Sequence, residues 1–376
     1  MRREAVGLLA AAALAIPAQA APELAPIDAQ TLLAGSPLHV VLGGSDPAGA
    51  GLSFEVVTSD PELLAARVLE GNRSLRIRVS GYGEMVFELF EARAPRVAQR
   101  IAALAESGFY DGVAFHRVVG GFVIQGGDPG GTGAGGSDLG PFDDQFHVEL
   151  QHNRGGVLSM AKGGDDSNDS QFFIAAGPAR HLDYNHSVFG QLVTGEEVRA
   201  AIDAVATDGA DRPLEPVVME NVEVLVDGEN GVLVLSAPEG STGTAVVTVA
   251  ATDGNGVRVE RTFQVQISPD TQNSPPFLAD VAPIVTRVDT PVTVQLQAID
   301  VEGDPAFYLD EQTLANNGLA VPVVSGPDLD YSVDFETGLL TITPRNGVTG
   351  VERITVATAV QAVAVDYQVL AVTIEP

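Results

Sequence analysis

Residues able to do chemistry crowd into one part of the chain. Five of the six His lie between His116 and His186, near Arg117, Gln125, Asp128, Lys162 and Gln171. There is no Cys, so thiolate nucleophiles, disulfides and Cys-type zinc sites are excluded. None of the His forms the i, i+4 pair with an intervening Glu that aims two imidazoles at one zinc, so no metal and no other cofactor is expected. Ser, His and Asp are all present, but the strained G-x-S-x-G elbow that exposes a nucleophilic Ser is missing. Gly131-Thr132-Gly133-Ala134-Gly135-Gly136 reads as G-x-G-x-x-G, yet Ser137-Asp138-Leu139-Gly140-Pro141 follows where a helix and a P-loop Lys would be needed. That stretch is expected to be a flexible or tight-turning loop.

Three ordered blocks remain. The first is Phe115-His116-Arg117-Val118-Val119-Gly120-Gly121-Phe122-Val123-Ile124-Gln125-Gly126-Gly127-Asp128. The second is Gly156-Val157-Leu158-Ser159-Met160-Ala161, then Ser170-Gln171-Phe172-Phe173-Ile174. The third is His181-Leu182-Asp183, then His186-Ser187-Val188-Phe189-Gly190. Together they resemble the signature of the cyclophilins, the peptidyl-prolyl cis/trans isomerases. The resemblance covers residues 83–224. It implies a closed antiparallel β-barrel of eight strands with two helices.

The reaction that this resemblance implies needs no nucleophile, metal or proton relay. Rotation about an X-Pro bond is opposed by ~18–20 kcal/mol of lost amide resonance. A catalyst needs a dry apolar pocket for the proline ring and donors that favour the twisted amide over either planar form. By resemblance, Arg117 is the guanidinium that bonds the proline unit, and Gln125 holds Arg117 or the substrate backbone. Phe122, Val123, Phe173 and Leu182 line the proline pocket, and His186 closes its rim. Gln171 and the backbone of Ala161, Lys162 and Gly163 form the groove for residues preceding proline. Val123 stands where the family usually has Met, Lys162 where Asn is usual, and His181 where Trp or Phe is common. The loop from Lys162 to Asp169 is acidic, which disfavours acidic substrates.

Elements must position these residues. Met85 to Phe90 reads as a strand. Pro95 to Ser107 reads as a helix, with Pro95 in its first turn, Val97, Ile101 and Leu104 on one face, and Gly108 ending it. A second helix is expected from Glu196 to Val205, with Val198, Ile202 and Val205 on one face. On either side the texture is β. Leu38, Val40 and Leu42 alternate, as do Phe54 and Val56, then Leu75, Ile77 and Val79. Val232–Leu235, Ala245–Ala250 and Thr262–Ile267 are further strands, the last two joined by an Asp253-Gly254-Asn255-Gly256 turn.

An internal repeat organises the flanks. Pro37–Leu42 aligns with Pro291–Leu296, and the same offset pairs Asp46 with Asp300 and Phe54 with Tyr308. At a second offset Glu229–Leu233 aligns with Glu336–Leu340, and Gly243 and Ile267 with Gly350 and Ile374. The two halves are contiguous in the last part of the chain and separated by a domain's worth of chain in the first. Residues 22–80 plus 225–268 are therefore expected to be one β-sandwich split by the insertion of 83–224. Residues 269–276 are read as a linker, and 277–376 as a second sandwich. Both resemble Ig-like or cadherin-like modules of bacterial surface proteins. The acidic turns at Asp46 and Asp300 raise calcium binding, but neither supplies six to eight oxygens, and an Asp bonding its own turn is the simpler reading.

Composition sets the remaining bounds. The 41 Gly and 23 Pro suit a turn-rich, mainly β protein, and 45% apolar content argues against disorder. A net charge of −30 argues against nucleic acid and anionic lipid as partners. Arg2 and Arg3, the apolar run Ala5 to Ile16, and Ala18-Gln19-Ala20 read as a signal peptide cut after Ala20, so the chain is expected to be exported to the periplasm, cell surface or medium. No later stretch is long and apolar enough to span a bilayer. The expected function is an exported prolyl isomerase acting on X-Pro polypeptides and assisting folding. The alternative is a proline-peptide-binding or structural surface protein without useful turnover.

Overall fold

The computed structural model describes residues 21–316, 328–360 and 363–376. The expected signal segment, residues 1–20, lies outside them. Among the described residues no helix is long and apolar enough to cross a membrane.

Strands from the middle of the chain form one antiparallel sheet. Its order is Arg117–Val119, Val123–Gly126, Phe172–Ala175, Val157–Met160, Val188–Thr194, Gly83–Leu89, Ser74–Val79, Val217–Leu225 and Ala114–Phe115. The two end strands are consecutive in the chain, parted only by His116, so the sheet curls back on itself like a barrel. Counting Ala114 to Val119 once gives eight strands. Alternation sorts the faces. Leu75, Ile77 and Val79 are buried, while Arg76 and Arg78 point out and pair across the strands with Glu223 at 2.9 Å and Glu84 at 2.7 Å.

The strand Ser74–Val79 corrects one expected boundary. Its alternation reads with the first sandwich, but it pairs with Gly83–Leu89 and Val217–Leu225 inside the barrel sheet. Period-two alternation reports which residues face a core, not which core. The tight turn at Gly81, with φ 78°, folds the strand onto its neighbour.

The helix Pro95–Glu106 buries Val97, Ile101 and Leu104. The second helix, Glu196–Asp203, follows Gly195 and buries Val198 and Ile202. It ends before Val205, which still packs on the barrel core.

The flanking segments build two sheet assemblies with matching strand order. In the first, Leu38–Leu42, Gly231–Ser236 and Ala65–Val68 form one sheet, and Gln30–Ala34, Arg258–Pro269, Gly243–Asp253 and Leu52–Thr58 another. In the second, Val292–Gln295, Leu339–Pro344 and Leu329–Val333 form one sheet, and Ile284–Arg287, Val363–Glu375, Gly350–Val360 and Phe307–Asp310 another. Register matches as well: Gly243 faces Ile267 as Gly350 faces Ile374, and Val249 faces Val56 as Val356 faces Asp310. The second assembly is not β throughout. The helix Glu311–Asn316 starts where Asp310 accepts a bond from Thr313 N at 2.8 Å, and it buries Leu314. The segment read as a linker is tied down, because Asp270 accepts bonds from Ser36 Oγ at 2.5 Å and Arg180 Nη1 at 3.1 Å. The acidic turns use their carboxylates on themselves: Asp46 accepts from Ala48 and Ala50 N, and Asp300 from Glu302 and Asp304 N.

The sheet of Leu38–Leu42 and Gly231–Ser236 is buried on both faces. Leu38, Val40, Leu42, Leu233 and Leu235 enter the core of the first assembly, while Val232 and Val234, with Val41 beside them, pack on the barrel. His39 lies on the barrel side, stacked on Phe90 at 4.8 Å. Burial, with Arg154 nearby, pushes its imidazole down to about 3, and Nε2 has no hydrogen-bond partner. Because the folded-state value lies below that of an unfolded His, the contribution of the neutral ring is complete above pH 6.5 and is lost as pH falls toward 3. His39→Leu is expected to flatten the acid sensitivity, improving relative stability by about 2 kcal/mol at pH 5. Urea midpoints at pH 5 and 7 check this; equal pH slopes for both proteins would refute it.

Candidate active site

Antiparallel register lines up the central residues. Arg117 lies opposite Gln125, Gln125 opposite Phe173, and Phe173 opposite Ser159. Residues directly opposite share a face of the sheet. Val118, Ile124, Ile174 and Leu158 take the other face and fill the barrel core. The site is therefore built on the outside of the barrel, backed by its core.

Loops complete the row. Phe122 sits on the turn before Val123, its N–H bonded to Val119 O at 2.9 Å, and its ring stacks on His181 at 5.6 Å. His181 and Leu182 belong to the short 3-10 turn Arg180–Leu182. His186 follows, edge-on to Phe173 at 5.6 Å, with Nδ1 2.9 Å from Met160 O. Val123 and Phe173 are buried, Phe122, Leu182 and His186 half-buried, and His181 exposed. These gradations suit a floor, walls and rim.

A polar chain runs beside them. Arg117 Nη1 lies 3.4 Å from Gln125 Oε1, Gln125 Nε2 donates to Gln171 Oε1 at 3.0 Å, and Gln171 Nε2 donates to Gly133 O at 3.0 Å and Gly135 O at 2.8 Å. On its other side Arg117 Nε is 3.5 Å from Asp211, held close because Val118 N–H donates to the Asp211 carbonyl at 2.8 Å. Asp211 carries no sequence signal, since it lies far along the chain outside every motif block.

The glycine-rich loop is tight-turning and pinned. Burial opposes ionisation of Asp128, but N–H groups of Gly130, Gly135 and Gly133 and the Thr132 hydroxyl hold its carboxyl well below the usual range. A Cβ on Gly135 would stand 2.1 Å from Asp128 Oδ1, so any side chain there would push the pinned carboxylate aside. This loop, Gln125, Gln171 and the stretch Ala161, Lys162, Gly163 enclose a hollow of about 360 Å³.

Lys162 turns its side chain away from that hollow. Its ammonium bonds Asp144 and, at 3.0 Å, Asp165, and lies 5.9 Å from the Phe146 ring centre. Burial opposes its charge, but the two carboxylates win and raise its pKa. Its backbone is what lines the hollow. Asp144, Asp165 and Asp166 offer oxygens within 4.8 Å of one another, but the Lys162 ammonium already pairs with two of the three.

One hydrogen-bond chain lies beyond the reach of sequence reasoning. Ser159 Oγ is 2.9 Å from His152 Nε2, and His152 Nδ1 is 3.1 Å from Asp183. It has the order of a nucleophilic triad, yet all three side chains are wholly buried. A nucleophile must be reached by substrate, so this chain is structural. Its imidazole stacks on Phe173 at 5.8 Å and braces that ring from behind.

Comparison with known proteins concerns the middle of the chain. Residues 74–224 match the family model for cyclophilin type peptidyl-prolyl cis-trans isomerase/CLD. A peptidyl-prolyl cis-trans isomerase of Schizosaccharomyces pombe is 47% identical over 136 residues, which span 36% of this chain and 88% of that protein. Peptidyl-prolyl cis-trans isomerase A of Mycobacterium tuberculosis is 40% identical over 185 residues, spanning 45% of this chain and 96% of its own. A solved cyclophilin type peptidyl-prolyl cis-trans isomerase of Cryptosporidium parvum has 35% identity, covers 42% of this chain and 99% of its own, and superposes with a TM-score of 0.41.

Two tests follow from the electrostatics. Burial pushes His186 down to about 4, so the ring is neutral at physiological pH and its Nδ1–H donates to Met160 O. Imidazole nitrogen shifts by NMR are expected to show that one tautomer with no titration between pH 5.5 and 8. Burial and the carboxylates of Asp165, Asp143 and Asp144 raise Asp166 to about 8. Its folded-state value exceeds the unfolded one, so stability falls as pH rises from about 4 through 8. Asp166→Asn, which suits the local φ of 51°, is expected to raise the melting temperature by a few degrees at pH 9 and by little at pH 4.5. Equal gains at both pH values would refute the assignment.

Proposed function

The chain belongs to the cyclophilin-type peptidyl-prolyl cis-trans isomerases, and on that premise we propose an exported folding catalyst in which Arg117 acts on the X-Pro amide. The observation that carries this reading is the placement of Arg117 directly opposite Gln125, with Phe173 next in the row. Resonance makes the planar amide stable, so the catalyst must prefer the twisted one. As the bond rotates, the proline nitrogen becomes pyramidal and gains a lone pair. A guanidinium N–H on that side stabilises it. Gln125 and Asp211 flank the guanidinium and fix its plane, so little reorganisation is needed when the amide twists.

The apolar residues act on the other half of the substrate. Phe122, Val123, Phe173 and Leu182 take the proline ring and exclude water. The neutral His186 ring closes the rim beside Phe173, and His181 extends the wall by stacking on Phe122. The backbone of Ala161, Lys162 and Gly163, with Gln171, pairs with residues before the proline. Val123 and His181 replace bulkier residues usual in the family, while the Arg, Gln and Phe positions are kept.

The two flanking assemblies are read as Ig-like or cadherin-like sandwiches, the first split by the isomerase domain. Their common strand order and register support this reading. So does the chain path. The domain leaves after Ala65–Val68 and returns at Gly231–Ser236, and the equivalent strands of the second copy are joined by a short turn, Asp334 to Gly338. The N-terminal residues support export, which places the catalyst where newly translocated chains fold.

A prolyl isomerisation assay on an X-Pro peptide tests the site. The unmodified protein is expected to accelerate exchange, and Arg117→Ala to lose about a hundred-fold or more of kcat/KM with an unchanged melting temperature. Peptide binding without acceleration would support a recognition module instead. Full activity in Arg117→Ala would remove Arg117 from the mechanism.

A further inference from the structure

Next to the site is a second cleft, of about 480 Å³, that the isomerase domain does not build alone. The loop Lys162 to Asp165 lines it, with Tyr184, Asn185, His186, Pro275 and Tyr367. Pro275 and Tyr367 lie outside residues 74–224, in the second assembly and the segment that leads to it. Both are held in place. Phe277 stacks on Tyr184 at 4.9 Å, and Asp280 accepts bonds from Arg96 and from Gln145, each at 2.9 Å. Tyr367 N–H donates to Asp165 at 3.1 Å.

We propose that this cleft is a substrate subsite in which Tyr367 and Pro275 select an apolar or aromatic side chain preceding the proline. The inference rests on the isomerase reading and extends it to sequence preference. The occupant follows from continuity. The stretch Ala161 to Gly163 separates two hollows, one toward Gly133–Gly136 and one toward Tyr367. An extended polypeptide laid along that stretch sends alternate side chains to opposite sides. A residue whose neighbour faces the glycine loop therefore faces Tyr367. The chemical class follows from what the walls offer. The Lys162 ammonium is engaged by Asp144 and Asp165, and the Asp165 carboxylate by Lys162 and Tyr367 N–H. Charge is thus already satisfied within the cleft, and the tyrosine and proline rings are left to make contact.

Peptides test this with the full-length protein. One series is a short X-Pro peptide beginning one residue before X. The other carries two more preceding residues, with Phe, Ser or Asp placed at each added position in turn. The expected result is equal kcat/KM for the short peptide in the unmodified protein, Tyr367→Ala and Asn185→Trp. With Phe at one added position, the unmodified protein gains several-fold over Ser, and both variants lose that gain. Asn185 is exposed, so Asn185→Trp fills the cleft without disturbing a core and guards against misfolding of Tyr367→Ala. Activity on the short peptide with no preference for Phe, or a preference that survives both variants, overturns the subsite while leaving the isomerase reading intact. If no peptide is turned over, the isomerase reading fails, and calorimetric affinities for the same series decide the subsite by the same pattern.

Discussion

Strand register is the constraint on which everything else rests. Arg117, Gln125, Phe173 and Ser159 form a row only because four antiparallel strands hold one alignment. A slip of one residue in Val123–Gly126 would send Gln125 into the barrel core and Ile124 to the surface. The apolar partners Val118, Ile124, Ile174 and Leu158 prevent that slip, since exposing them would cost far more than any single hydrogen bond contributes. Core packing on one face thus fixes hydrogen-bonding geometry on the other. The buried Ser159–His152–Asp183 chain adds a second brace behind Phe173.

The same logic operates at the domain scale. The strands Leu38–Leu42 and Gly231–Ser236 lie between two cores: Leu38, Val40, Leu42, Leu233 and Leu235 serve one, and Val41, Val232 and Val234 the other. The barrel and the first assembly share that layer, so they are joined by packing as well as by two chain crossings. The second assembly is joined differently. Its contacts with the barrel are rings and charges: Phe277 on Tyr184, Asp280 with Arg96, and Asp165 with Tyr367 N–H. Lys162 stands at the junction of both themes. Its side chain enters the acidic cluster facing the second assembly, while its backbone lines the hollow beside Gln171. A residue that departs from the family pattern is thereby the one that links the site to the chain's own additions.

Much of the fold and of the site is legible in the residues alone. The three motif blocks place Arg117, Phe122, Gln125, Gln171, Phe173 and His186 together because a family's site residues travel in contiguous segments. Helices are legible from Pro95 and from the spacing of Val97, Ile101 and Leu104. The repeat is legible because both copies keep the same Gly and apolar positions. Three things are not. Ser74–Val79 reads with the wrong sheet, since alternation does not name a partner. Asp211 and the His152 chain give no signal because each depends on contacts between distant segments. The helix Glu311–Asn316 gives none because a short helix with one buried Leu has no period to read.

The sequence by itself determined the family: three ordered blocks carry its signature, and the absence of Cys excludes thiol and Cys-zinc catalysis. It also determined that two flanking segments repeat, because alternation and turn residues are local properties. Only the tertiary structure decided which sheet each strand joins, which carboxylate stands beside Arg117, and that Tyr367 reaches the rim of the site. Those outcomes depend on how separate cores pack against one another, and packing between segments far apart in the chain leaves no trace in local pattern.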